Sequence, residues 1–315
     1  MFDGIDHCVL FMPDLDECLG LYRDLFGFVE TAAYVVVPPS PYHAAWGLPE
    51  VELDVRDLIK PGAAGGGLRL VGCVDLPAPT SPRTLGRPGP FALDFYVRDL
   101  PALVDRLQAN GHRLRSRPVR YELAGAGFEV DEVLLEAPLG FVHALVEYLP
   151  GRHRCVLGDD PSADVSEVVA AITVTDDVDE GLATLRDGLG GQVYFDAPFE
   201  GPAVEELIGL PAGTSFRAVL LRGPERRNAR AELMAAVPDA GRREGTRSHP
   251  YLALSCAVPD VDALADALSD PRHGELHGPF APEAGPWGGR RAVVLWSRWG
   301  AVLELVEGSG RAPDA

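Results

Sequence analysis

One pattern of hydrophobic and polar positions recurs four times along the chain. A short apolar run ends at an aspartate, and apolar residues then follow at helical spacing until a glycine or polar stop. Aspartate side chains accept hydrogen bonds from the free amides at a helix start, and glycine adopts the left-handed conformation that ends many helices. Each copy therefore predicts a strand followed by a capped helix. The four aspartates are Asp14, Asp99, Asp177 and Asp260.

Roughly three strand-like runs, separated by Gly and Pro turns, come behind each predicted helix. In the first copy they cover 28–37, 51–59 and 68–74. The order strand, helix and three strands describes a βαβββ unit, and two such units occur in each half of the chain. A single curved sheet of this kind leaves one face open, so we expect pairs of units to close a ligand-binding cleft.

The two halves of the chain are related by duplication. The segment 14–19, DLDECL, recurs as 177–182, DVDEGL, and the Gly-Leu-Pro at 47–49 recurs at 209–211 with nearly the same offset. The polar stretch 150–164 has the composition of a linker. The sequence therefore predicts an α+β fold of four βαβββ modules paired into two half-barrel domains, residues 1–150 and 165–315.

Composition and charge narrow the class of partner. The 315 residues are 46% hydrophobic and 24% charged, typical of a folded soluble protein, and the net charge of −19 opposes binding to nucleic acid or anionic membranes. Lys60 is the one lysine, which argues against Schiff-base chemistry. The five cysteines are odd in number and scattered, and the N-terminus lacks a signal-peptide pattern, so we expect reduced thiols and a cytoplasmic location.

The opening segment 7–15, HCVLFMPDL, with its helix, and the closing segment Gly300–Leu305, GAVLEL, resemble the vicinal oxygen chelate superfamily of glyoxalases, bleomycin resistance proteins and extradiol dioxygenases. The resemblance covers about residues 4–307 and favours the two-domain form. It implies a divalent metal held by inward side chains on the first and last strands of paired units. It also implies a small-molecule ligand.

Most positions that correspond to the family's metal ligands carry other residues here. The first half has His7, Arg69, Ala92 and Ala144 at these positions, and the second has Ala170, Glu232, Ala253 and Glu304. A redox iron needs two histidines and a carboxylate, and a zinc site needs more nitrogen or carboxylate ligands than either half offers. We therefore predict no metal and no other cofactor.

Inward positions of the first half suggest acid–base chemistry. If neighbouring units pair, His7, Arg69, Asp94 and Tyr96 share one cleft, because residues two apart on a strand face the same way. A histidine beside an aspartate can act as a general base, and arginine can hold a carboxylate or enolate. The alternative is a purely structural network of buried ion pairs.

In the second half, the same reasoning predicts that Glu232 and Glu304 approach each other. Two carboxylates in one apolar site raise the pKa of one of them, which would make it a proton shuttle. The alternatives are pairing of each Glu with an arginine, such as Arg230 or Arg291, and a weak hard-cation site. Two further residues lie two positions from Ala253 and are candidate ligand contacts: Tyr251 and Ser255.

Three functions stay open from the sequence. The first is a metal-independent isomerase, lyase or cyclase of bacterial secondary metabolism, acting on a small aromatic or polyketide-like metabolite. The second is a protein that sequesters a drug or metabolite. The third is a metal-dependent dioxygenase or lyase with relocated ligands. We expect a small-molecule partner, no nucleic-acid or membrane partner, and leave a homodimer open.

Overall fold

The structure is a computed structural model that describes residues 2–77, 83–123, 129–149, 155–224, 229–237 and 252–308. Its elements fall into the four predicted units, here called units one to four. They span 7–72, 89–149, 165–235 and 252–307. In this part of the chain, no helix is long and apolar enough to cross a membrane.

Units one and two contain the following elements: β1 His7–Met12, α1 Asp16–Leu19 with its π-helical continuation Gly20–Leu25, β2 Val29–Val36, α2 Pro41–Trp46, β3 Leu53–Ile59, β4 Gly67–Gly72, β5 Gly89–Val97, α3 Leu100–Ala109, β6 Arg113–Leu114, β7 Val119–Glu122, β8 Glu129–Glu136 and β9 Val142–Leu149. A 3-10 turn, Pro138–Gly140, joins β8 to β9. The first unit thus contains the predicted strand, helix and three strands.

Units three and four, with the helix that precedes them, contain the following elements: α4 Val156–Asp159, β10 Val165–Thr175, α5 Val178–Leu182 with its π-helical continuation Ala183–Gly188, β11 Gln192–Glu200, α6 Pro202–Ile208, β12 Ser215–Arg222, β13 Arg230–Ala235, β14 Leu252–Val258, α7 Val261–Ala267, β15 Gly274–Phe280, β16 Ala292–Ser297 and β17 Val302–Glu307. The π-helical continuations of α1 and α5 lie at equivalent places, which supports the duplication.

Three of the four predicted aspartate caps are present at the helix starts. Asp99 accepts from the amide of Ala102 at 2.9 Å, and Asp260 accepts from that of Ala263 at 3.0 Å. Asp177 caps α5 in the same way. Asp14, the predicted cap of the first helix, lies two residues before Asp16 and accepts from its amide at 2.9 Å, whereas Leu15 occupies the N-cap position. Local side-chain chemistry therefore fixes where these helices begin.

Two large sheets organise the fold. The eight-stranded sheet has the order β15-β16-β17-β14-β1-β4-β3-β2, and the nine-stranded sheet has the order β11-β12-β13-β10-β5-β9-β8-β6, with β7 paired to β8. Each sheet is built from two βαβββ units joined through their first strands. The predicted fold class, paired βαβββ modules in a mixed α and β fold, is confirmed.

The partners within each sheet differ from the expected ones. The sequence predicts pairing of neighbouring units inside residues 1–150 and inside 165–315, whereas the strand order pairs unit one with unit four and unit two with unit three. β1 runs antiparallel to β14, and β5 runs antiparallel to β10. The hydrophobic pattern of a unit shows that its first strand needs a partner, and all four first strands offer equivalent edges, so the pattern does not choose among them.

The two sheets are joined by contacts between units. The hydroxyl of Tyr22, on α1, lies 2.8 Å from Nε2 of His143 on β9, and both residues are buried. The amide of Val168 donates to the carbonyl of Gly66 at 3.0 Å. Burial lowers the pKa of His143 to about 3, so its ring is neutral in the core. These contacts hold the two sheets, and the faces that they carry, in one body.

Candidate functional site

The eight-stranded sheet brings residues of units one and four onto one face, here called the 1/4 site. In the strand registers, His7 lies opposite Ser255 and Ser255 lies opposite Glu304. Arg69 lies opposite Val9, two residues from His7. Because side chains two apart on a strand point the same way, His7, Arg69, Ser255 and Glu304 share this face.

Arg69 is the centre of the 1/4 site, with 4% of its side chain exposed. Its Nε donates to Oδ1 of Asp57 at 2.7 Å and its Nη2 donates to Oδ2 at 3.1 Å. Its Nη1 lies 3.8 Å from Oε2 of Glu304. Burial lowers the pKa of Arg69, but the hydrogen bond and charge of Asp57, together with the charge of Glu304, leave that pKa raised. The guanidinium therefore stays charged between two carboxylates.

Glu304 is enclosed by aromatic side chains and has no exposed surface. The indole N–H of Trp46 donates to its Oε1, and Nε1 of Trp287 donates to the same oxygen at 3.2 Å. The ring of Tyr42 packs against both indoles, with centroids 5.2 Å and 4.5 Å away. Arg69 and the two indoles thus hold this carboxylate in place, and large aromatic rings fill the space around it.

His7 is a weak base in this setting. Burial, followed by the charge of Arg69, lowers its pKa to about 4, so the ring is neutral at physiological pH. Asp94 lies on β5 of the other sheet. The predicted pair of His7 and Asp94 is therefore not formed, because units one and two do not share a sheet.

The nine-stranded sheet forms a second shared face, here called the 2/3 site. Asp94 lies opposite Ala144 on one side and Ala170 on the other, and Glu232 lies opposite Ile172, two residues from Ala170. Tyr96 lies two residues from Asp94 on the same face. Glu232 and Glu304 belong to different sheets, so their predicted approach is corrected. Asp94, Tyr96 and Glu232 come together instead.

Arg230 is anchored by tyrosines at the edge of the 2/3 site. Its Nη2 donates to the hydroxyl of Tyr96 at 2.6 Å, its Nη1 donates to that of Tyr194 at 2.5 Å, and its Nε donates to the carbonyl of Val169 at 3.0 Å. The hydroxyl of Tyr148 lies 3.0 Å from that of Tyr96. All three edges of the guanidinium are thus engaged by protein, and its charge acts on the carboxyls from a fixed position.

Three carboxyl groups share the 2/3 site: Asp94, Glu132 and Glu232. Burial raises the pKa of Glu132 to about 7, although a hydrogen bond from Tyr121 lowers it. Burial raises the pKa of Glu232 to about 8; Arg230 opposes this shift and Glu132 adds to it. The pKa of Asp94 is well above its usual range because of burial and the charges of Glu232 and Glu132. At neutral pH this cluster retains protons that exposed carboxylates would lose.

An apolar pocket with a cavity volume of about 30 Å³ opens beside Glu132, one of these three carboxyls. Glu132 is the charged residue in its wall, and the hydroxyl of Tyr121, also in the wall, donates to Glu132 Oε2. Ala92 and Ala144 line the pocket too, so the cavity occupies space that larger side chains at these positions would fill. An apolar lining with one convergent acid–base group is typical of a ligand site, although the volume is far below the roughly 300–1,000 Å³ of an open ligand pocket.

The structure separates the predicted site residues into two groups. His7, Arg69, Ser255 and Glu304 lie in the 1/4 site, and Asp94, Tyr96 and Glu232 lie in the 2/3 site. Tyr251 lies outside the described residues. The roles of these residues stay predictions.

Sequence reasoning missed Glu132 and Tyr121. Glu132 lies in the run Val130–Leu135. Val130, Glu132 and Leu134 alternate along it and point to one face of the strand, and the other two residues of that face are apolar. A lone carboxylate on the apolar face of a strand is a usable signal for a site. The register of β8 against β9, which sets Leu134 opposite Ala144, decides that this face is the one with the pocket.

Comparison with known proteins agrees with this architecture. Residues 4–136 match the family model of the Glyoxalase/Bleomycin resistance protein/Dioxygenase superfamily. These residues belong to that superfamily. Glyoxalase I from Zea mays is similar in structure, with a TM-score of 0.65, 14% identity and coverage of 96% of this chain and 92% of that one. A proposed dioxygenase from Bacillus subtilis subsp. subtilis str. 168 has a TM-score of 0.62, 14% identity and coverage of 98% and 86%.

At such identities, the similarity to these solved structures shows the fold of the glyoxalase superfamily across both halves and nothing finer. Comparison of the sequence with curated proteins finds no significant match.

The superfamily's metal does not fit the donor atoms present at the expected positions. In the 2/3 site, Glu232 is accompanied by Ala92, Ala144 and Ala170. In the 1/4 site, the strand position expected to supply a carboxylate holds Arg69, whose guanidinium supplies a positive charge beside Glu304. Within the described ranges, no group of three or more His, Cys, Asp and Glu is placed to hold a metal ion.

Proposed function

We propose that the 2/3 site is the active site of an acid–base enzyme of the isomerase, lyase or cyclase type, which acts on a small apolar or aromatic metabolite without a metal. The observation that carries the proposal is the position of Glu132. It is a buried carboxyl in the wall of an apolar pocket, and its pKa of about 7 keeps both protonation states populated near neutrality. General acid–base catalysis works best with such a pKa.

The neighbouring carboxyls supply the second half of a proton transfer. The pKa of Glu232 is raised to about 8, so this group is mainly protonated at neutral pH while part of Glu132 is ionised. In an isomerisation, Glu132 takes the proton of an acidic C–H bond, and a carboxylic acid such as Glu232 gives a proton to the oxygen or carbon that gains the electron pair. After this step Glu132 holds a proton and Glu232 is ionised, so one proton passes from Glu132 back to Glu232, directly or through solvent, before the next turnover.

The walls of the pocket favour an uncharged, aromatic substrate. Phe91, Tyr121 and Phe199 line it, and the ring of Phe199 lies 6.0 Å from that of Phe216 and 5.9 Å from that of Phe195. Aromatic side chains bury flat apolar ligands well. Three carboxyls nearby disfavour an anionic substrate, because Arg230 is already engaged by tyrosines.

The test uses aromatic ketones with an acidic C–H bond next to the carbonyl, incubated with the protein in heavy water. We expect the wild-type protein to incorporate deuterium at a rate that rises with pH through about 7. In Glu132→Gln, this rate should be lower by a factor of about 10² or more. Glu136→Gln, at the exposed end of the same strand, is the matched control and keeps the exchange.

The alternative function is sequestration of a drug or metabolite, and the apolar lining of the pocket favours it, since Glu132 is the charged side chain in a wall of aromatic and aliphatic residues. An aromatic ketone that binds in the pocket, undergoes no exchange and binds Glu132→Gln equally well would select sequestration over catalysis.

A further inference from the structure

Helix α6 covers the pocket of the 2/3 site. Val204, Leu207 and Ile208 of this helix form part of the pocket wall, and Val204 and Leu207 are each 4% exposed. The helix belongs to unit three, yet it packs against β7 and β8 of unit two as well as against β11. A ligand in this pocket therefore contacts this helix.

The two ends of α6 are built for movement. Gly201 and Gly209 flank the helix with φ angles of 105° and 76°, in the region that favours glycine. A Cβ atom at either glycine would meet no atom within 4 Å, so the space beside each glycine is open. Hinges are commonly a few such residues at the ends of an element.

Among the described residues, apolar packing and one surface ion pair hold α6 in place. Glu206 pairs with Arg117 of unit two, and the side chains are 37% and 77% exposed. Exposed pairs of this kind contribute little to stability. The hydrogen bonds of Glu205 stay within unit three, with its Oε1 accepting from the amide of Gly213 at 2.6 Å.

The equivalent helix of unit one, α2, is fixed much more firmly. It carries Tyr42, whose hydroxyl donates to the carbonyl of Ala284 at 2.9 Å and accepts from the amide of Trp287 at 3.2 Å. Trp296 donates from Nε1 to the carbonyl of Ala45 at 3.0 Å, and Trp46 donates to Glu304. Thus the same element of the repeat is tied to buried polar partners in one site and not in the other.

The cavity is smaller than the substrates that the proposed function requires. Its volume of about 30 Å³ is room for about two water molecules. An aromatic ring needs several times that space, so a wall has to move when the ligand binds. Of the walls, the strands are held by sheet hydrogen bonds, which leaves α6.

From these contacts we infer that α6 is the gate of the 2/3 site, hinged at Gly201 and Gly209, and that Val204 and Leu207 select ligands by size. This inference rests on the proposed function in taking the pocket as the ligand site. Opening exposes Val204 and Leu207 and admits the ligand, and closing buries the reacting groups away from water.

The experiment measures opening in the full-length protein with no ligand. Val204→Cys places a thiol under the gate, and Ala45→Cys places one in α2. The rate of labelling by dithiodipyridine reports how often each helix opens. The five native cysteines are all buried, so their labelling in the wild-type protein gives the rate of global unfolding.

We expect Val204→Cys to be labelled at least about tenfold faster than Ala45→Cys and than the native thiols. Glu206→Gln in the Val204→Cys background should raise the rate about two- to fivefold by removing the ion pair. Equal rates at Val204→Cys and at the native thiols would overturn the gate. Should Val204→Cys fail to fold, Leu207→Cys gives the same comparison.

Size selection is tested by binding of benzene and naphthalene. Leu207→Ala, or Leu207→Val if the first variant is unstable, should raise the affinity for naphthalene relative to benzene by about tenfold, since the larger ring gains the space removed. An unchanged ratio would overturn the selection by Leu207. Cysteine labelling and ligand binding are measured without turnover, so they test the gate alone. Deuterium exchange in Glu132→Gln tests the proposed function, and either hypothesis can therefore fail without the other.

Discussion

The two sites are built from equivalent strands and have opposite chemistry. In the 1/4 site, the charged Arg69 lies between Asp57 and Glu304, and tryptophans fill the remaining space. In the 2/3 site, three buried carboxyls lie on one face, Glu132 among them lines a cavity, and tyrosines hold Arg230 at the edge of the site. Packed rings stabilise a fold, and losing one partner of a buried ion pair destabilises it, whereas buried carboxyls with raised pKa values cost stability when they ionise and are typical of functional sites.

The largest expected effect is on the 1/4 site. Arg69→Ala leaves Asp57 and Glu304 buried without their cation, and we expect the free energy of unfolding to fall by about 3–5 kcal/mol. Arg56→Ala removes a partly exposed ion pair with Asp54 and should change the free energy of unfolding by less than about 1 kcal/mol. Urea denaturation of both variants measures the difference. Equal effects would mean that the 1/4 site is not the structural centre of its sheet.

The second prediction compares equivalent glutamates. Glu304→Gln should destabilise the protein at neutral pH, because an amide facing Arg69 replaces a carboxylate. Glu232→Gln should instead stabilise the protein by about 4 kcal/mol at pH 8 and change its stability little near pH 4.5. A raised folded-state pKa means that the folded protein binds more protons than the unfolded chain, so wild-type stability falls as pH rises from about 4.5 through about 8.

Denaturation of the two glutamine variants across this pH range gives the result directly. A stabilised Glu304→Gln, or a pH-independent effect of Glu232→Gln, would contradict the contrast between the sites.

The third prediction concerns the hydrogen bond from Tyr121 to Glu132. This bond lowers the pKa of Glu132, so Tyr121→Phe should raise that pKa from about 7 by one unit or somewhat more. The infrared band of the protonated carboxyl, assigned with Glu132→Gln, follows the titration. If the pKa does not move, the tyrosine does not tune this group.

The smallest expected effect is a coupling between the sites. His7 and Asp94 lie on different sheets, so the effects on stability of His7→Gln and Asp94→Asn should add within about 0.5 kcal/mol in the double variant. Chemical denaturation of the two single variants and the double variant measures this. A larger coupling would restore the sequence-based pairing of these two residues.

The sequence predicts the units well and their partners poorly, for a physical reason. Caps such as Asp99 and Asp260 act within a few residues, and periodicity fixes which side of a strand is buried, so units and facing residues can be predicted. The choice of Ser255 as the neighbour of His7 depends on which of several equivalent strand edges meet. That choice is made by contacts between units, and no local pattern encodes it.

The same limit explains the errors at the site level. Inward positions were assigned correctly for Arg69 beside His7, yet Asp94 and Glu304 were each placed with the wrong neighbours because the units were. Glu132 was missed because its face is set by the register of β8 on β9. The face of a strand to which a residue points follows from the alternation of its own strand. The residues beside it on other strands depend on which strands pair, and the local sequence does not determine that.

The pairing of β1 with β14 has a consequence for the order of folding. His7 lies opposite Ser255, so the eight-stranded sheet joins segments that are far apart along the chain, and closing so long a loop is slow. The nine-stranded sheet needs only residues from 89 to 235. During synthesis from the N-terminus, the nine-stranded sheet can form first. The edge of β1 that pairs with β14 stays unpaired until unit four has been synthesised. That exposed edge is where we expect a chaperone to act on this chain.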